Sequence, residues 1–155
     1  MRTETLAVTK SITVRASRDH AFTVFAERFG SWWPASHHLG DADLADVVVE
    51  PRAGGRWYER DTEGVEREWG RVLAYEPPRR LLLAWHLQGD WHHDPDPAKS
   101  SEIEVRFIAD GEHTRVEFEH RHIERHDGPA EVRRGVAGPN GWSAILRSFA
   151  DHVAG

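Results

Sequence analysis

Eleven histidines in 155 residues, with no cysteine, are this chain's main stock of groups that change charge near neutral pH or bind a metal. His37 and His38 follow RFGSWWPAS at 28–36, where two indoles abut a helix-breaking proline and must pack under something. His120 and His122 close the alternating run TRVEFEHRH, and by period-2 parity they continue the face of Val116 and Phe118. Imidazoles gathered around an apolar pocket could bind a transition metal, serve as acid and base, or give a ligand one hydrogen bond. The spacing, HH and then H-x-H about 80 residues on, is no metal motif. No metal and no cofactor is therefore expected, and a structural histidine with a hydrogen-bond partner is the simpler reading of each. His92 and His93 lie in GDWHHDPDPAKS at 89–100, an Asp- and Pro-rich loop, and are read as solvated.

One carboxylate stands apart. Glu59 follows Trp57 by two in GGRWYE, on the same strand face, and is the candidate general base beside His120. Catalysis by that pair needs the two within hydrogen-bond reach. Glu68, Glu102, Glu104, Glu117 and Glu119 alternate with apolar residues and read as a solvated outer face. No Ser-His-Asp arrangement, phosphate-cradling loop or dinucleotide fingerprint is found, because Gly54 and Gly55 open a strand and not a helix. Nucleotide enzymes are excluded on that ground.

The elements that must position these groups are legible as periodicities. Residues 6–16 alternate as a strand, with Ile12, Val14 and Ala16 on one side. Ser17 then offers an N-cap, and Phe22, Phe25, Ala26 and Phe29 recur at helical spacing until Gly30 and Pro34 stop the helix. Strands are expected over about 44–50, 55–60, 66–76, 80–88, 102–109 and 113–122, with turn residues between them. Ile103, Val105 and Phe107 share a face, as do Leu81, Leu83 and Trp85, whereas Trp69 has apolar neighbours on both sides and could point either way. The stretches 89–100 and 124–140 read as loops, the second with room for one short helical turn. Asn140 can cap a final helix whose Trp142, Ile145, Leu146, Phe149 and Val153 form one stripe.

The length suits one domain, here taken as 1–155, and 39% hydrophobic content with seven tryptophans supplies a real core. No run approaches the roughly 18 apolar residues of a membrane span, and the N-terminus lacks a signal-peptide layout. That points to a cytoplasmic protein that does not engage a membrane. The net charge is -6 with basic residues dispersed, so nucleic acid is not an expected partner. A monomer or homodimer is expected.

Taken in order, ITVRASRDHAFTVFAERFGSWWP, GGRWYE, WGRVLAYEPPRRLLLAW, TRVEFEH and GWSAILRSF resemble the START-like or SRPBCC superfamily, in the branch of the C-terminal domain of the heat-shock-protein 90 ATPase activator. The resemblance covers nearly the whole chain. It implies an α+β helix-grip fold: a curved antiparallel sheet of about six or seven strands wrapped around a long C-terminal helix, with one or two short helices after the first strand. It also implies an apolar cavity between sheet and helix. The leading function is a binding module for an apolar small molecule. Trp32, Trp33, His37 and His38 would form the lid and rim of the cavity. Trp57, Trp85, Phe107, Phe118, His120, Trp142 and Leu146 would line it. A cyclase- or hydrolase-type enzyme using His120 and Glu59 is the second reading. A co-chaperone is the third, weakened because the eukaryotic activator carries a further N-terminal domain for which this chain has no room. Only Lys10 and Lys99 among the basic residues are lysine, which suggests a GC-rich bacterial genome.

Overall fold

The structure, a computed structural model, describes residues 7–154. The first position of the expected strand over 6–16 and the two ends of the expected domain therefore lie outside the described residues. Seven strands form one antiparallel sheet in the order β1-β7-β6-β5-β4-β3-β2. They are β1 (Val8–Val14), β2 (Leu44–Val49), β3 (Arg56–Asp61), β4 (Glu66–Glu76), β5 (Arg80–Trp85), β6 (Ser101–Asp110) and β7 (His113–Arg121). Consecutive strands from β2 to β7 pair as hairpins, and β1 returns to the far edge beside β7 with Ile12 opposite Val116. This meander curls around a C-terminal helix, α4 (Trp142–Ala154), in a helix-grip arrangement.

The alternation that marked the strands also sets the inner face. Leu81, Leu83, Ile103, Val105, Phe107, Val116 and Phe118 are all buried, while the intervening glutamates pair on the outer face with arginines. Arg121 reaches Glu102, Glu104 and Glu119 there, and Arg80 reaches Glu104. On α4 the stripe of Trp142, Ile145, Leu146, Phe149 and Val153 is buried, as the helical period requires.

Three local expectations change. The first helix is segmented into α1 (Arg18–Phe22), a π-helical turn over Thr23–Glu27 and α2 (Phe29–Trp32). Ser17 does cap it, its Oγ accepting from His20 N–H at 3.2 Å. Gly30 does not stop it but lies inside α2, where a Cβ would stand 2.0 Å from Asp46 Oδ1 and 2.8 Å from Val47 N. The glycine is there so that α2 can lie directly on β2. The strand expected to run to 88 ends at Trp85, since Leu87 turns away to form an isolated bridge with His93.

The third change matters most for function. The expected loop over 124–140 contains a nine-residue helix, α3 (Pro129–Ala137), with Pro129 in its first turn and Val132 and Val136 buried. Its brevity and interior Gly135 hide the helical period. The following helix begins one residue later than a cap at Asn140 would give, because Ile145 N–H donates to Gly141 O. Only glycine fits at 141, where a Cβ would meet Val136 O at 2.1 Å.

Close approach of backbone also fixes the middle of the sheet. A Cβ on Gly70 of β4 would stand 1.7 Å from Ala84 O of β5. Gly70→Ala is therefore expected to destabilise the fold by at least the ~1–3 kcal/mol of an overpacked interior position. Urea denaturation of the variant beside wild type checks this, and an unchanged midpoint would contradict the close approach.

Candidate functional site

Beyond the open end of α4 the interior is not filled, and a pocket of about 640 Å³ remains. Five indoles wall it: Trp33 just after α2, Trp69 on β4, Trp85 at the end of β5, Trp91 in the loop after it, and Trp142 at the start of α4. Trp33 lies 5.0 Å from Trp69 and 6.1 Å from Trp142 between ring centroids, and Trp85 lies 5.8 Å from Trp142. Leu39, Leu87, Val136 and Ile145 fill the gaps between rings. Trp91 is the exposed member, 44% accessible with a left-handed φ of 67°, and its ring lies against Gly135 of α3. The helix missed in the sequence thus supplies one side of the pocket.

A buried indole N–H needs an acceptor, and those acceptors place the polar groups of the site. Trp33 Nε1 donates to His37 O at 2.8 Å, which folds the Trp-Trp-Pro turn back on itself. Trp85 Nε1 donates to Leu87 O at 3.0 Å. Trp69 Nε1 donates to Glu59 Oε1 at 2.8 Å, and Leu39 N–H donates to the same oxygen at 2.7 Å. Glu59 is fully buried on β3, borders the pocket, and its Oε2 has no partner among the described residues. His37 is occupied on both ring nitrogens, by Ser36 Oγ and Asn140 O. His38, next along the rim, has a buried Nδ1 without a partner among the described residues.

Behind the indole wall runs a chain of polar side chains. Trp142 Nε1 donates to His120 Nδ1 at 3.0 Å, His120 Nε2 meets Ser101 Oγ at 2.6 Å, and Ser101 Oγ meets His126 Nε2 at 2.7 Å. His126 Nδ1 faces Gln88 Oε1 at 3.3 Å. The protons can be assigned from both ends. Indole nitrogen only donates, so His120 Nδ1 accepts and its Nε2 carries the hydrogen. Gln88 spends its amide N–H groups on His86 O and Lys99 O, so its oxygen accepts from His126 Nδ1–H. The serine hydroxyl between them then accepts from His120 and donates to His126, and both imidazoles are neutral. Burial pushes His120 down to about 3, with the neighbouring His126 adding to it, and pushes His126 down to about 4.

The residues singled out from sequence divide in two. Trp33, His37, His38, Trp85, Trp142 and Glu59 border the pocket. Trp32, Trp57, Phe107, Phe118, His120 and Leu146 are buried away from it. Trp32 packs among Phe25, Phe29 and Phe149, Phe107 against Phe22 and Phe25, and Phe118 against Trp142. Glu59 and His120 each have other hydrogen-bond partners and do not bond to each other. His122 leaves the inward parity because the backbone turns at φ 63° once β7 ends, and its ring faces Glu124 at 3.6 Å. Trp69, Trp91 and Val136 join the pocket without having been singled out. So does His92, read as solvated. The Pro129 start with Glu131 in the first turn was the one signal that could have exposed α3. Among the described residues no group of three or more His, Asp or Glu is gathered as a metal would need. No helix among them is long and apolar enough to cross a membrane.

The model of the Activator of Hsp90 ATPase homolog 1-like protein family matches residues 15–154. This chain belongs to that family. Among solved structures it is similar to the anthrahydroquino-γ-pyrone synthase Txn09, with 42% identity, a TM-score of 0.67, and coverage of 94% of this chain and 95% of that one. It is similar as well to CalC, a self-sacrificing resistance protein from Micromonospora echinospora, with 39% identity, a TM-score of 0.70 and coverage of 95% and 93%. NE0264 from Nitrosomonas europaea shares 15% identity at a TM-score of 0.65 over 95% and 93%, a likeness of fold alone. A comparison with curated proteins finds no match.

The neutral histidine pair makes stability depend on acid. Both native pKa values lie below the ordinary 6.5, so the unfolded chain takes up these protons first. Their contribution is complete above pH 6.5 and is lost as pH falls toward 4 and then 3. Burial lowers the partly covered His93 too, against the opposing pull of Glu68, and with the same sign. Paired carboxylates such as Glu50 and Asp61 titrate natively below their ordinary 4.5 and 3.8, leaving the region just under 6.5 to the histidines. The urea midpoint is expected to fall between about pH 6.5 and 5, by up to about tenfold in the folding constant per pH unit for each histidine. In His126→Gln that slope should be shallower, and an identical slope would show that His126 is not neutral in the native protein.

Proposed function

We propose that this protein binds a flat, fused-ring aromatic small molecule in the pocket between sheet, α3 and α4. The observation that carries this reading is the wall itself: five indoles around about 640 Å³, with unpartnered polar atoms on Glu59 and His38 at its edge. That volume is within the ~300–1,000 Å³ of small-molecule sites, and such sites combine apolar walls with a few convergent polar groups. Indole faces stack on flat rings and add about 0.5–1.5 kcal/mol per pair beyond the area they bury. The likeness to Txn09 supports the same ligand class, because that protein is named for a fused aromatic skeleton and the similarity extends over nearly the whole chain.

A second reading, a ring-closing enzyme of the cyclase type, is favoured by one specific feature. Glu59, a residue of the pocket wall, carries a buried carboxylate oxygen without a partner among the described residues, as a general base for a hydroxyl or enol proton would. Its companion would be His38, which shares the pocket, and not His120, which stands behind Trp142 with both nitrogens engaged. The heat-shock-protein reading suggested by the family description has no comparable feature behind it, and the indole-walled pocket weighs toward a small molecule.

Titration with anthracene is expected to quench tryptophan fluorescence with a dissociation constant on the order of micromolar. Trp91→Ala, at an exposed position, should weaken binding about two- to tenfold with little loss of stability. Trp142→Ala should abolish binding and destabilise the fold by about 3–5 kcal/mol, as truncation of a buried aromatic does. A folded wild-type protein that binds no member of a broad panel of fused-ring aromatics would overturn the reading.

A further inference from the structure

We infer that the pocket chooses among fused-ring aromatics by a hydroxyl group, taking phenols and hydroquinones and disfavouring the matching ethers and quinones, with Glu59 as the residue that discriminates. The inference rests on the small-molecule reading above and deepens it. Its basis is a count of what the wall can offer a polar ligand. Four wall indoles already spend their N–H on the protein: Trp33 on His37 O, Trp69 on Glu59 Oε1, Trp85 on Leu87 O and Trp142 on His120 Nδ1. Both ring nitrogens of His37 are engaged as well. The buried part of the wall is therefore poor in free donors, and other donors that line the pocket, Trp91 Nε1 and the Asn140 amide, stand on its exposed side.

What lies buried at its border is an acceptor. Glu59 is fully buried, and its Oε1 is saturated by Leu39 N–H and Trp69 Nε1–H, while Oε2 has no partner among the described residues. A carboxylate oxygen only accepts, and a buried acceptor left unpaired costs free energy that a partner recovers. An aromatic hydroxyl supplies that donor. A quinone carbonyl or an ether oxygen only accepts, so it leaves Oε2 unpaired and sets lone pairs against lone pairs. The other unpartnered atom, His38 Nδ1, accepts or donates according to tautomer, so it fits either ligand and does not choose between them. Sites built to bond a hydroxyl reject the analogue lacking it by up to about 10⁴–10⁵ when several groups act together, so one acceptor should give tenfold or more.

The same geometry predicts an inversion. In Glu59→Gln the two N–H donors hold the amide oxygen at the Oε1 position, which turns the amide NH₂ toward the place of Oε2. The wall then offers a donor, and the preference should pass to the acceptor ligands.

Three probes with an oxygen at the same ring position test this: 1-hydroxyanthracene, 1-methoxyanthracene and 1,4-anthraquinone, titrated anaerobically by tryptophan quenching and calorimetry. Wild type is expected to bind the hydroxy compound at least about tenfold more tightly than the other two, a difference of about 1.4 kcal/mol. Glu59→Gln, confirmed folded by circular dichroism, should bind the quinone more tightly than the hydroxy compound. Equal wild-type affinity for all three overturns the inference while leaving the pocket reading intact. Binding of none by folded protein overturns both. The wild-type comparison stands whether or not the variant folds, and a folded variant that keeps the wild-type order would remove Glu59 from the discrimination.

Discussion

Burying an indole obliges the fold to provide an acceptor for its N–H, and much of this molecule is arranged by that obligation. The π-helical turn after α1 disturbs the regular ladder, and Trp32 Nε1 takes Val24 O at 3.1 Å. Trp33 draws the chain at His37 back over the pocket, and Trp85 turns the backbone at Leu87 out of β5. Trp69 reaches across to Glu59 on β3, and Trp142 anchors the first turn of α4 to His120 on β7. Removing Trp142 leaves His120 Nδ1, a buried acceptor, without its donor, at about 1–3 kcal/mol beyond the lost packing, whereas Glu59 Oε1 would keep Leu39 N–H if Trp69 were removed. Trp57 is the exception, its buried Nε1 having no partner among the described residues.

The interior beneath the sheet has two unlike ends. At one, Phe22, Phe25, Phe29, Phe107 and Phe149 interlock edge to face with Trp32 tilted against Phe25 and Phe29, and the space is closed by side chains. At the other, the rings stand around a void because α3 and the loop carrying Trp91 span the gap without filling it. The polar chain from Trp142 to Gln88 stiffens the boundary between them. Its neutral histidines hold α4 and the 126–127 segment against β6, so the wall is preorganised before any ligand arrives.

Family membership alone leaves the chemistry open. Txn09 and CalC resemble this chain almost equally, at 42% and 39% identity, yet one is named a synthase and the other a resistance protein. A shared fold hosting unlike activities puts the weight on the few groups that border the pocket. The buried ones here are four indoles with their N–H spent, one oxygen of Glu59 and one nitrogen of His38 without a partner among the described residues. The outer face, with Arg121 and Arg80 threaded through glutamates, is a solvated charge network of modest energetic weight.

The period of the sequence determined the seven strands, their inward faces and the stripe of α4, because alternation and the 3.6-residue turn are local consequences of backbone geometry. It marked Glu59, His37, His38 and the Trp-Trp-Pro turn as worth watching for the same reason: residue type and parity are written locally. Parity gives direction and not depth. Phe107 and Phe118 point inward as expected but lie among side chains that close over them, while Trp69, ambiguous by pattern, faces the pocket. Helix α3 was hidden by its short length and interior glycine, and with it the far wall. His120 could be seen to point inward, yet its neutrality comes from Trp142, Ser101 and His126, brought together from separate parts of the chain. Only the tertiary structure decided which oxygen of Glu59 is spent and which is free, since an unpaired atom is defined by every neighbour at once.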